Sequence, residues 1–308
     1  MERIAVIGAG LMGHGIAQVF ACHGHAVVVH DPVPEALART QERVRANLRA
    51  LGLLESAAEH ISMDATLAGA VADADVVFEA APEDLGLKHK IFAELARATR
   101  PACILASNTS VIPIGEIASG VPDAHRVLGT HWWNPPYLIP LVEVVQAPCT
   151  DLTSIARMME LLKRVGKVPV HVRRDVPGFV GNRLQHALWR EAISIVAAGI
   201  CDAETVDLVV KNSFGMRLPV LAPLENADLV GLDLTLAIHK MILPHLEASG
   251  APSTLLEECV KAQRLGMKTG SGFYDWTPET AQAVRDRLTT YLRNVVGGRP
   301  GSLGSDPE

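Results

Sequence analysis

The sequence lacks the features that mark several large classes of protein. It has no cluster of lysine and arginine, and its net charge is −6 over 308 residues, so we do not expect a nucleic-acid partner. No uncharged apolar run is long enough to cross a membrane, and the first residues enter a strand pattern directly, without the basic and apolar regions of a secretion signal. We therefore expect a cytoplasmic protein that does not associate with membranes.

Cysteine and histidine also lack the spacing that would indicate cross-links or metal ligands. The 5 cysteines are scattered and odd in number, which is typical of reduced thiols in a cytoplasmic protein. The 12 histidines form no cluster with one another or with cysteine, so the sequence predicts no metal site. The remaining pattern, 48% hydrophobic and without internal repeats, predicts a globular chain with two cores.

Residues 129–145 carry the most informative pattern in the chain. His131 closes a predicted strand, and the prolines after Asn134 require an irregular loop, because proline has no N–H and restricts the residue before it. Residues 141–145 then read as a second strand, apolar on both faces, with Glu143 at its centre. A buried carboxylate is costly unless it is hydrogen-bonded, and His131 is the obvious partner.

A histidine paired with a glutamate is consistent with two roles. If the carboxylate bonds one ring nitrogen, it fixes the tautomer and leaves the other nitrogen free to take a proton. Alternatively, His131 does no more than satisfy the buried Glu143. The pair taken alone favours neither role.

The first 31 residues have the pattern of a dinucleotide-binding unit. An apolar strand at 4–7 leads towards a helix, and between them lie three glycines, Gly8, Gly10 and Gly13. The next strand ends in Asp31, 18 residues after the last glycine, close to the spacing of about 20 that is typical of such sites. Gly8 would make the tight turn, Gly10 would let a pyrophosphate approach, and Gly13 would let the helix pack closely. A glycine-rich turn without a ligand is the alternative.

The start of that helix and the acid after the second strand indicate which cofactor would bind. The free N–H groups of Leu11, Met12 and Gly13 and the positive end of the helix dipole suit phosphates. Asp31 can accept hydrogen bonds from both ribose hydroxyls and would repel a 2′-phosphate. We therefore predict NAD rather than NADP.

Strands and helices alternate through the first half of the chain, which predicts a doubly wound parallel sheet. Further strands are predicted at 27–31, 74–80, 103–106 and 167–172, and helices at 35–51 and 87–98. Ligands bind at the carboxyl edge of such a sheet, where three polar pairs are expected. These pairs are Glu83 with Lys88, Asn108 with Ser110, and His131 with Asn134. Ser110 alone is better explained as a helix cap, but the convergence of three pairs favours a site.

The second half of the chain is predicted to be helical, at about 180–199, 203–213, 231–247 and 253–265. We predict an α/β protein whose units are a Rossmann-type NAD-binding domain over 1–178, a smaller all-α domain over 179–296 and a disordered tail over 297–308. The helix from 180 is apolar over a wide arc, which suits burial between domains or subunits. Asn182 is its polar exception, and it either serves the site or bonds its own backbone.

Six ordered stretches resemble the 3-hydroxyacyl-CoA dehydrogenase family of NAD-dependent oxidoreductases, nearly from end to end. They are I-G-A-G-L-M-G-H-G-I-A (7–17), F-E-A-A-P-E-D-L-G-L-K (78–88), S-N-T-S (107–110), H-W-W-N-P-P…L-V-E-V-V (131–145), P-G-F-V-G-N-R (177–183) and K-T-G-S-G-F-Y (268–274). The resemblance implies a catalytic dyad of His131 and Glu143, with Ser110 and Asn182 beside the reacting oxygen. It also implies fatty acid metabolism and a homodimer formed through the helical domain.

The resemblance further implies which residues contact NAD outside the glycine loop. They are Asp31, Glu83, Lys88, Ser110, Asn134 and Lys268. We add Asn108 to this set, because it stands beside Ser110 at the end of the same predicted strand.

Departures from the family pattern concern the substrate. Members that take CoA thioesters commonly carry a lysine-rich stretch after the helix that follows the second strand, whereas the first lysine here is Lys88. Four arginines remain in this part of the chain and are alternatively a solvated helix face: Arg39, Arg43, Arg45 and Arg49. Residues 214–225 differ from the usual segment, and Trp132 and Trp133 replace a more usual phenylalanine pair. We predict oxidation of the 3-hydroxyl of a 3-hydroxyacyl-CoA. The alternative is the same chemistry on a CoA-free hydroxy acid or hydroxylated ring, as in gulonate- or pyridine-alcohol-type dehydrogenases.

Two further alternatives fit the sequence less well. A dehydrogenase of the 3-hydroxyisobutyrate or 6-phosphogluconate type would use an interdomain lysine, but Asn182 opens the helix there and no lysine follows until Lys211. A non-catalytic, crystallin-like NAD-binding protein would keep the glycines and lose the dyad, and both members of the dyad are present here.

Overall fold

The computed structural model describes residues 1–297 of the chain. Its backbone divides into two compact units: a first unit of residues 1–182 together with the chain from Leu288, and a second unit of residues 183–287. The domain boundary predicted between residues 178 and 179 lies close to this division, and the domain limits stay a prediction. Residues 298–308 of the predicted tail lie outside the described residues.

The first unit is built on one mixed sheet of eight strands. These are β1 (Ile4–Ile7), β2 (Val27–His30), β3 (Ile61–Met63), β4 (Val76–Glu79), β5 (Ile104–Ser107), β6 (Val127–Trp132), β7 (Leu141–Val145) and β8 (Val168–Val172). Their order is β3-β2-β1-β4-β5-β6-β7-β8, and β1 to β6 are parallel. Strand β7 pairs antiparallel with β6, and β8 pairs parallel with β7. The predicted doubly wound α/β fold is confirmed, with two strands reversed at one edge.

Helices cover both faces of the sheet, and each face has its own core. The helices are α1 (Leu11–Cys22), α2 (Pro34–Ala38), α3 (Thr40–Leu51), α4 (Leu67–Val71), α5 (Leu85–Ala98), α6 (Ile114–Ile117) and α7 (Leu152–Arg164). Side chains alternate along a strand, so Ile4 and Val6 of β1 enter one core while Ala5 and Ile7 enter the other. All four are buried, which explains the uninterrupted apolar run.

Several elements differ from the sequence predictions, and the helices at 67–71, 114–117, 223–230 and 278–297 were not predicted. Strand β3 was not predicted, because it has only three residues and two of them are exposed at the edge of the sheet. The helix predicted at 35–51 is interrupted at Arg39, which ends α2 and precedes α3. Helix α7 was also missed, although Ile155, Met158 and Leu161 are buried at the spacing of an amphipathic helix.

The second unit consists of helices, as predicted. Those that lie in it wholly or in part are α8 (Gly181–Ala197), α9 (Ala203–Lys211), α10 (Phe214–Arg217), α11 (Pro223–Val230), α12 (Leu232–Ile242), α13 (Thr254–Lys261) and α14 (Pro278–Gly297). No residue of α8 to α12 is buried. Over residues 1–297, no helix is both long and apolar enough to cross a membrane.

Candidate active site

The glycine loop between β1 and α1 has room for a ligand at one of its three glycines. Gly8 has a φ of +105°, and a Cβ there would lie 2.6 Å from the carbonyl oxygen of Ala80. A Cβ on Gly13 would lie 1.7 Å from the carbonyl oxygen of Gly8. The fold itself therefore requires these two glycines. A Cβ on Gly10 would meet no atom within 4 Å, so the space above it is open to an approaching pyrophosphate.

The N-terminus of α1 presents unpaired amides beside this open space. The first helical hydrogen bond runs from the N–H of His14 to the carbonyl of Gly10, at 3.2 Å, so the amides before it have no helical acceptor. No side chain caps the helix, and its first turn contains no acidic residue. The residues present therefore fit a dinucleotide, whose phosphates would be bound by the amides of Leu11, Met12 and Gly13.

Asp31 is fixed against the glycine loop at the end of β2. Its Oδ2 accepts from the N–H of Ala9 at 2.7 Å, and its Oδ1 accepts from the N–H of Val33 at 2.8 Å. Arg43 of α3, for which no contact with this loop was predicted, donates to the carbonyl of Ala9 at 3.0 Å. The carboxylate is thus held in one orientation with accepting capacity left for ribose hydroxyls.

Glu79, at the end of β4, was given no role in the sequence analysis. It nevertheless holds together the part of the sheet's carboxyl edge formed by β4 and β5. Its Oε1 accepts from the Nζ of Lys88 at 2.8 Å, and its Oε2 accepts from the hydroxyl of Ser107 at 2.6 Å. Glu79 and Lys88 are both fully buried. Lys88, predicted to contact NAD, is therefore one half of a buried ion pair that joins β4, β5 and α5. The only sign of this role in the sequence was that an acidic residue ends an otherwise apolar strand.

Glu83 holds the loop that follows β5. Its Oε1 accepts from the hydroxyl of Thr109 at 2.6 Å and from the N–H groups of Ser110 and Val111 at 3.0 and 3.2 Å. Burial alone would raise the pKa of the Glu83 carboxyl, but these hydrogen bonds and the Lys88 ammonium bring the pKa below its usual range. Glu83 is therefore a charged anchor of the loop that carries Ser110.

The remaining polar residues of the edge have distinct surroundings. Asn108 accepts through its Oδ1 from the N–H of Trp132 at 3.0 Å, which ties the end of β5 to β6. Asn182 donates through its Nδ2 to the carbonyl of Ser110 at 2.9 Å, so these two predicted substrate contacts lie together. Asn134 is exposed in the proline-rich loop, where its peptide bond to Pro135 is cis.

His131 and Glu143 face each other across the antiparallel strands. They are register partners in β6 and β7, and the Nδ1 of His131 lies 2.8 Å from the Oε2 of Glu143. The other oxygen, Oε1, accepts from the N–H groups of Val180 and Gly181 at 2.9 and 3.0 Å. Both side chains of the pair are buried. The carboxylate is thus fully paired, as a buried charge requires.

The protonation of this pair follows from its hydrogen bonds. Burial alone would raise the pKa of Glu143, but the bonds from His131 and the two amides bring the pKa below its usual range. An ionised carboxylate only accepts, so Nδ1 of His131 carries a hydrogen, and in the neutral form of the imidazole Nε2 is the acceptor. That Nε2 makes no hydrogen bond with the described residues of the first unit. The geometry can therefore support proton removal at Nε2.

The two amides that bind Glu143 follow directly after a strained turn at Gly178 and Phe179. Gly178 has a φ of +74° and Phe179 a φ of +50°, an uncommon value for a residue with a side chain. Phe179 is buried and its ring lies 5.7 Å from the ring of His131. The turn therefore supports both members of the pair, and such strain persists only where the surroundings impose it.

The aromatic residues around the pair divide between core and site. Trp132 is buried in the core against Phe20 and Phe78, at ring distances of 6.1 and 5.9 Å. Trp133 is half-buried and its ring lies 5.1 Å from that of His131. Tyr137 packs against the core with Trp132. Of the two tryptophans, only Trp133 contacts the histidine.

The buried side chain of Lys167 is bonded to the proline-rich loop. Its Nζ donates to the carbonyls of Pro136 and Ile139 and lies 5.5 Å from the ring centre of Trp132. The side chain is buried with no carboxylate among its hydrogen-bond partners in residues 1–297, and burial lowers the pKa of Lys167 to about 7. The sequence placed Lys167 at the start of a strand and gave no sign of this role.

Lys268, the last predicted NAD contact, belongs to the second unit. It is exposed in a short loop where Gly266 pairs with Ser271 and Ser271 with Asp275. Its assignment to NAD stays a prediction.

Models of two protein domains match most of the chain. The 3-hydroxyacyl-CoA dehydrogenase NAD binding domain matches residues 3–176, and the C-terminal domain of the same family matches residues 178–276. The 5-formyl-3-hydroxy-2-methylpyridine 4-carboxylate 5-dehydrogenase of Mesorhizobium japonicum is 33% identical over 97% of this chain and 99% of its own. A probable 3-hydroxybutyryl-CoA dehydrogenase of Bacillus subtilis is 38% identical over 91% and 99%.

A solved structure extends this similarity to the fold. The crystal structure of a 5-formyl-3-hydroxy-2-methylpyridine 4-carboxylic acid 5-dehydrogenase, described as an NAD⁺-dependent dismutase, is 31% identical and superposes with a TM-score of 0.89. The match covers 96% of this chain and 97% of that one.

Proposed function

The chain belongs to the 3-hydroxyacyl-CoA dehydrogenase family, and from this premise we propose that it oxidises a small hydroxylated acid with His131 as the general base. As in its relatives, the activity is that of an NAD-dependent dehydrogenase acting on CH–OH groups. The observation that carries the proposal is the buried contact of 2.8 Å between Nδ1 of His131 and Glu143, which leaves Nε2 as an acceptor.

In this proposal each residue of the edge has one task. His131 takes the hydroxyl proton at Nε2, and Glu143 stabilises the imidazolium that forms. Ser110 and Asn182, which lie together, orient the substrate oxygen. The glycine loop and Asp31 bind NAD, which when bound supplies the acceptor for the hydride.

Three observations support a substrate without coenzyme A. No lysine precedes Lys88, and of the arginines in this stretch Arg43 is bonded to the carbonyl of Ala9 and Arg49 is paired with Glu55. Trp133 occupies space beside His131. The similarity to the pyridine carboxylate dehydrogenase extends over nearly the whole of both chains with a TM-score of 0.89. The proposal therefore differs from the acyl-CoA substrate predicted from the sequence, because of the position of Trp133 and the similarity to the pyridine carboxylate dehydrogenase.

Oxidation of a 3-hydroxyacyl-CoA is the second candidate. It is supported by the 38% identity to a probable 3-hydroxybutyryl-CoA dehydrogenase, a higher identity than the 33% to the pyridine carboxylate enzyme. This activity would place the protein in fatty acid metabolism.

An NAD⁺-reduction assay separates the two candidates. The substrates are 3-hydroxybutyryl-CoA, free 3-hydroxybutyrate, gulonate and a hydroxymethylpyridine carboxylate, and NADH absorbance is the readout. We expect the highest kcat/KM with a CoA-free acid. A preference for 3-hydroxybutyryl-CoA would establish the second candidate, and no NADH from any substrate would contradict the proposal.

The helical unit supports a homodimer. No residue of helices α8 to α12 is buried, and in the same unit large apolar side chains such as Leu224 of α11 and Val220 in the segment before it are more than four-fifths exposed. Apolar surface on this scale is typical of a subunit interface. Light scattering coupled to gel filtration should give twice the monomer mass of 32.9 kDa, and a monomer at micromolar concentration would contradict the dimer.

The state of the cysteines supports a cytoplasmic location. All five are free, Cys103 and Cys259 are buried, and Cys103 belongs to one of the two apolar cores. Reduced thiols persist in the cytoplasm, whereas exported proteins tend to pair them.

A further inference from the structure

Two adjacent tryptophans at the end of β6 point to opposite sides of the chain. Side chains alternate along a strand, so Trp133 shares a face with His131 while Trp132 lies on the other. Trp132 is accordingly in the core. Trp133 lies beside the imidazole, with its ring tilted by 57° and the ring centres 5.1 Å apart. Phe179 lies 5.7 Å from the same imidazole. Two aromatic rings thus limit the space around His131.

The position of Trp133 depends on a glycine. A Cβ on Gly181 would lie 2.5 Å from the Cζ2 of Trp133, closer than real Cβ contacts come, and 3.3 Å from the Oε2 of Glu143. Gly181 has an ordinary helical backbone, so the turn itself does not require glycine there. The close approach of the indole does. Trp133 and Gly181 are therefore matched in size: a large ring fits because its neighbour has no side chain.

We propose that Trp133, seated on Gly181, sets the size of the substrate that can reach Nε2 of His131. This inference rests on the proposed role of His131 as the base. The indole adds a rigid wall next to the reacting position, and the same backbone segment carries Asn182, which is bonded to Ser110. A site narrowed in this way admits a compact hydroxylated acid more readily than a thioester with a long carrier.

The test compares two substrates in four variants. Wild type, W133F, G181A and W133F/G181A are assayed with free 3-hydroxybutyrate and with 3-hydroxybutyryl-CoA. Because one added or removed group in a pocket changes kcat/KM by roughly tenfold or more, W133F should raise the ratio of CoA-ester to free-acid kcat/KM by about tenfold. W132F is the matched control, since that ring lies in the core, and its ratio should stay at the wild-type value.

The pairing of the two residues gives a second, independent readout. A methyl group at 181 overpacks the site and displaces the indole beside His131, so G181A should lower kcat/KM about tenfold through misplacement of the reacting groups. In the W133F background the ring that meets the methyl group is smaller, so the same change should cost less than about threefold. Equal losses in both backgrounds would mean that the methyl group acts on Glu143 rather than on Trp133, and would overturn the pairing.

A measurement without substrate distinguishes failure of this inference from failure of the proposed function. Diethyl pyrocarbonate acylates neutral imidazole nitrogens, and mass spectrometry of the His131 peptide gives the rate at that residue. W133F should raise this rate severalfold over wild type and W132F should not. If no alcohol is oxidised, the proposed function fails and the labelling rate alone decides. A substrate ratio within twofold of wild type in W133F, or an unchanged labelling rate, would overturn the inference.

Discussion

The two ends of the active-site edge are built in different ways. At the cofactor end, the glycine loop and Asp31 come from 31 consecutive residues, and their geometry is fixed by backbone contacts such as the amide of Ala9 on Asp31. At the dyad end, His131 depends on Glu143 in the next strand and on amides almost forty residues further along the chain. The first end is a local structure, whereas the second exists only after the sheet has formed.

This difference leads us to expect that the two ends can be damaged separately. Changes at the cofactor end should alter binding of NAD or the stability of β4 and β5. Changes at the dyad end should alter turnover with NAD binding intact. A variant that alters both ends together would break the comparison.

The largest effect is expected for H131Q. Glutamine cannot take a proton at the position of Nε2, so kcat should fall by about 10²–10⁴-fold, the usual contribution of a general base. NAD affinity, measured by the quenching of intrinsic fluorescence, should stay within twofold of wild type. H171Q is the control, because His171 lies on β8 and bonds Gln146 outside the pair. Near-full activity in H131Q would show that His131 merely satisfies Glu143.

The buried pair of Glu79 and Lys88 should give the next largest effect. In E79Q the ammonium of Lys88 loses its close partner in a fully buried place, which should lower the free energy of unfolding by about 3–5 kcal/mol. Urea denaturation measures this loss. The exposed pair of Glu160 and Lys163 is the control, and E160Q should cost less than about 1 kcal/mol. If E79Q and E160Q cost the same, Glu79 does not hold the edge together.

Substitution of Asp31 tests which cofactor is bound at the cofactor end. D31A removes charge-assisted hydrogen bonds worth roughly 1.5–3 kcal/mol, so the Kd for NAD should rise about 10- to 100-fold. Discrimination against NADP should also relax, because the carboxylate no longer faces the 2′-phosphate. The turnover number at saturating NAD should change little. An unchanged preference between NAD and NADP would remove Asp31 from the cofactor site.

The smallest effect is the pH dependence contributed by Lys167. Burial lowers the pKa of Lys167 to about 7 in the folded protein, from 10.5. Between these values the unfolded chain binds more protons, so folding stability rises with pH; below about pH 7 the cost of burying the charge is fully present. Wild type should therefore gain roughly 1 kcal/mol over K167M between pH 7 and pH 8. Parallel pH profiles of urea stability for the two proteins would contradict this assignment.

Sequence patterns were sufficient wherever the structure is local. The glycine loop and Asp31 follow from apolar runs and spacing. The pairing of His131 with Glu143 is not local, but it could also be predicted, because two evident strands flank a short proline-rich loop. The sequence left two roles open for Asn182, the resemblance to a known family favoured the one at the site, and the structure places its side chain on the carbonyl of Ser110. Its role at the substrate stays a prediction.

Contacts between distant segments could not be predicted in the same way. Glu79 is bonded to Lys88, nine residues on, and to Ser107, 28 residues on, so its importance appears only once three elements meet. The close packing of Trp133 against Gly181 likewise joins two segments that are far apart in the sequence. No periodicity or motif encodes such a fit, because it depends on the packing of the folded sheet.

The central claim is that cofactor binding and proton removal belong to opposite ends of one edge. Single-turnover NADH formation and the Kd for NAD, measured side by side in D31A and H131Q, test it most directly. We expect D31A to lose affinity and keep its rate at saturating NAD, and H131Q to lose its rate and keep its affinity. Loss of both quantities in both variants would contradict the claim.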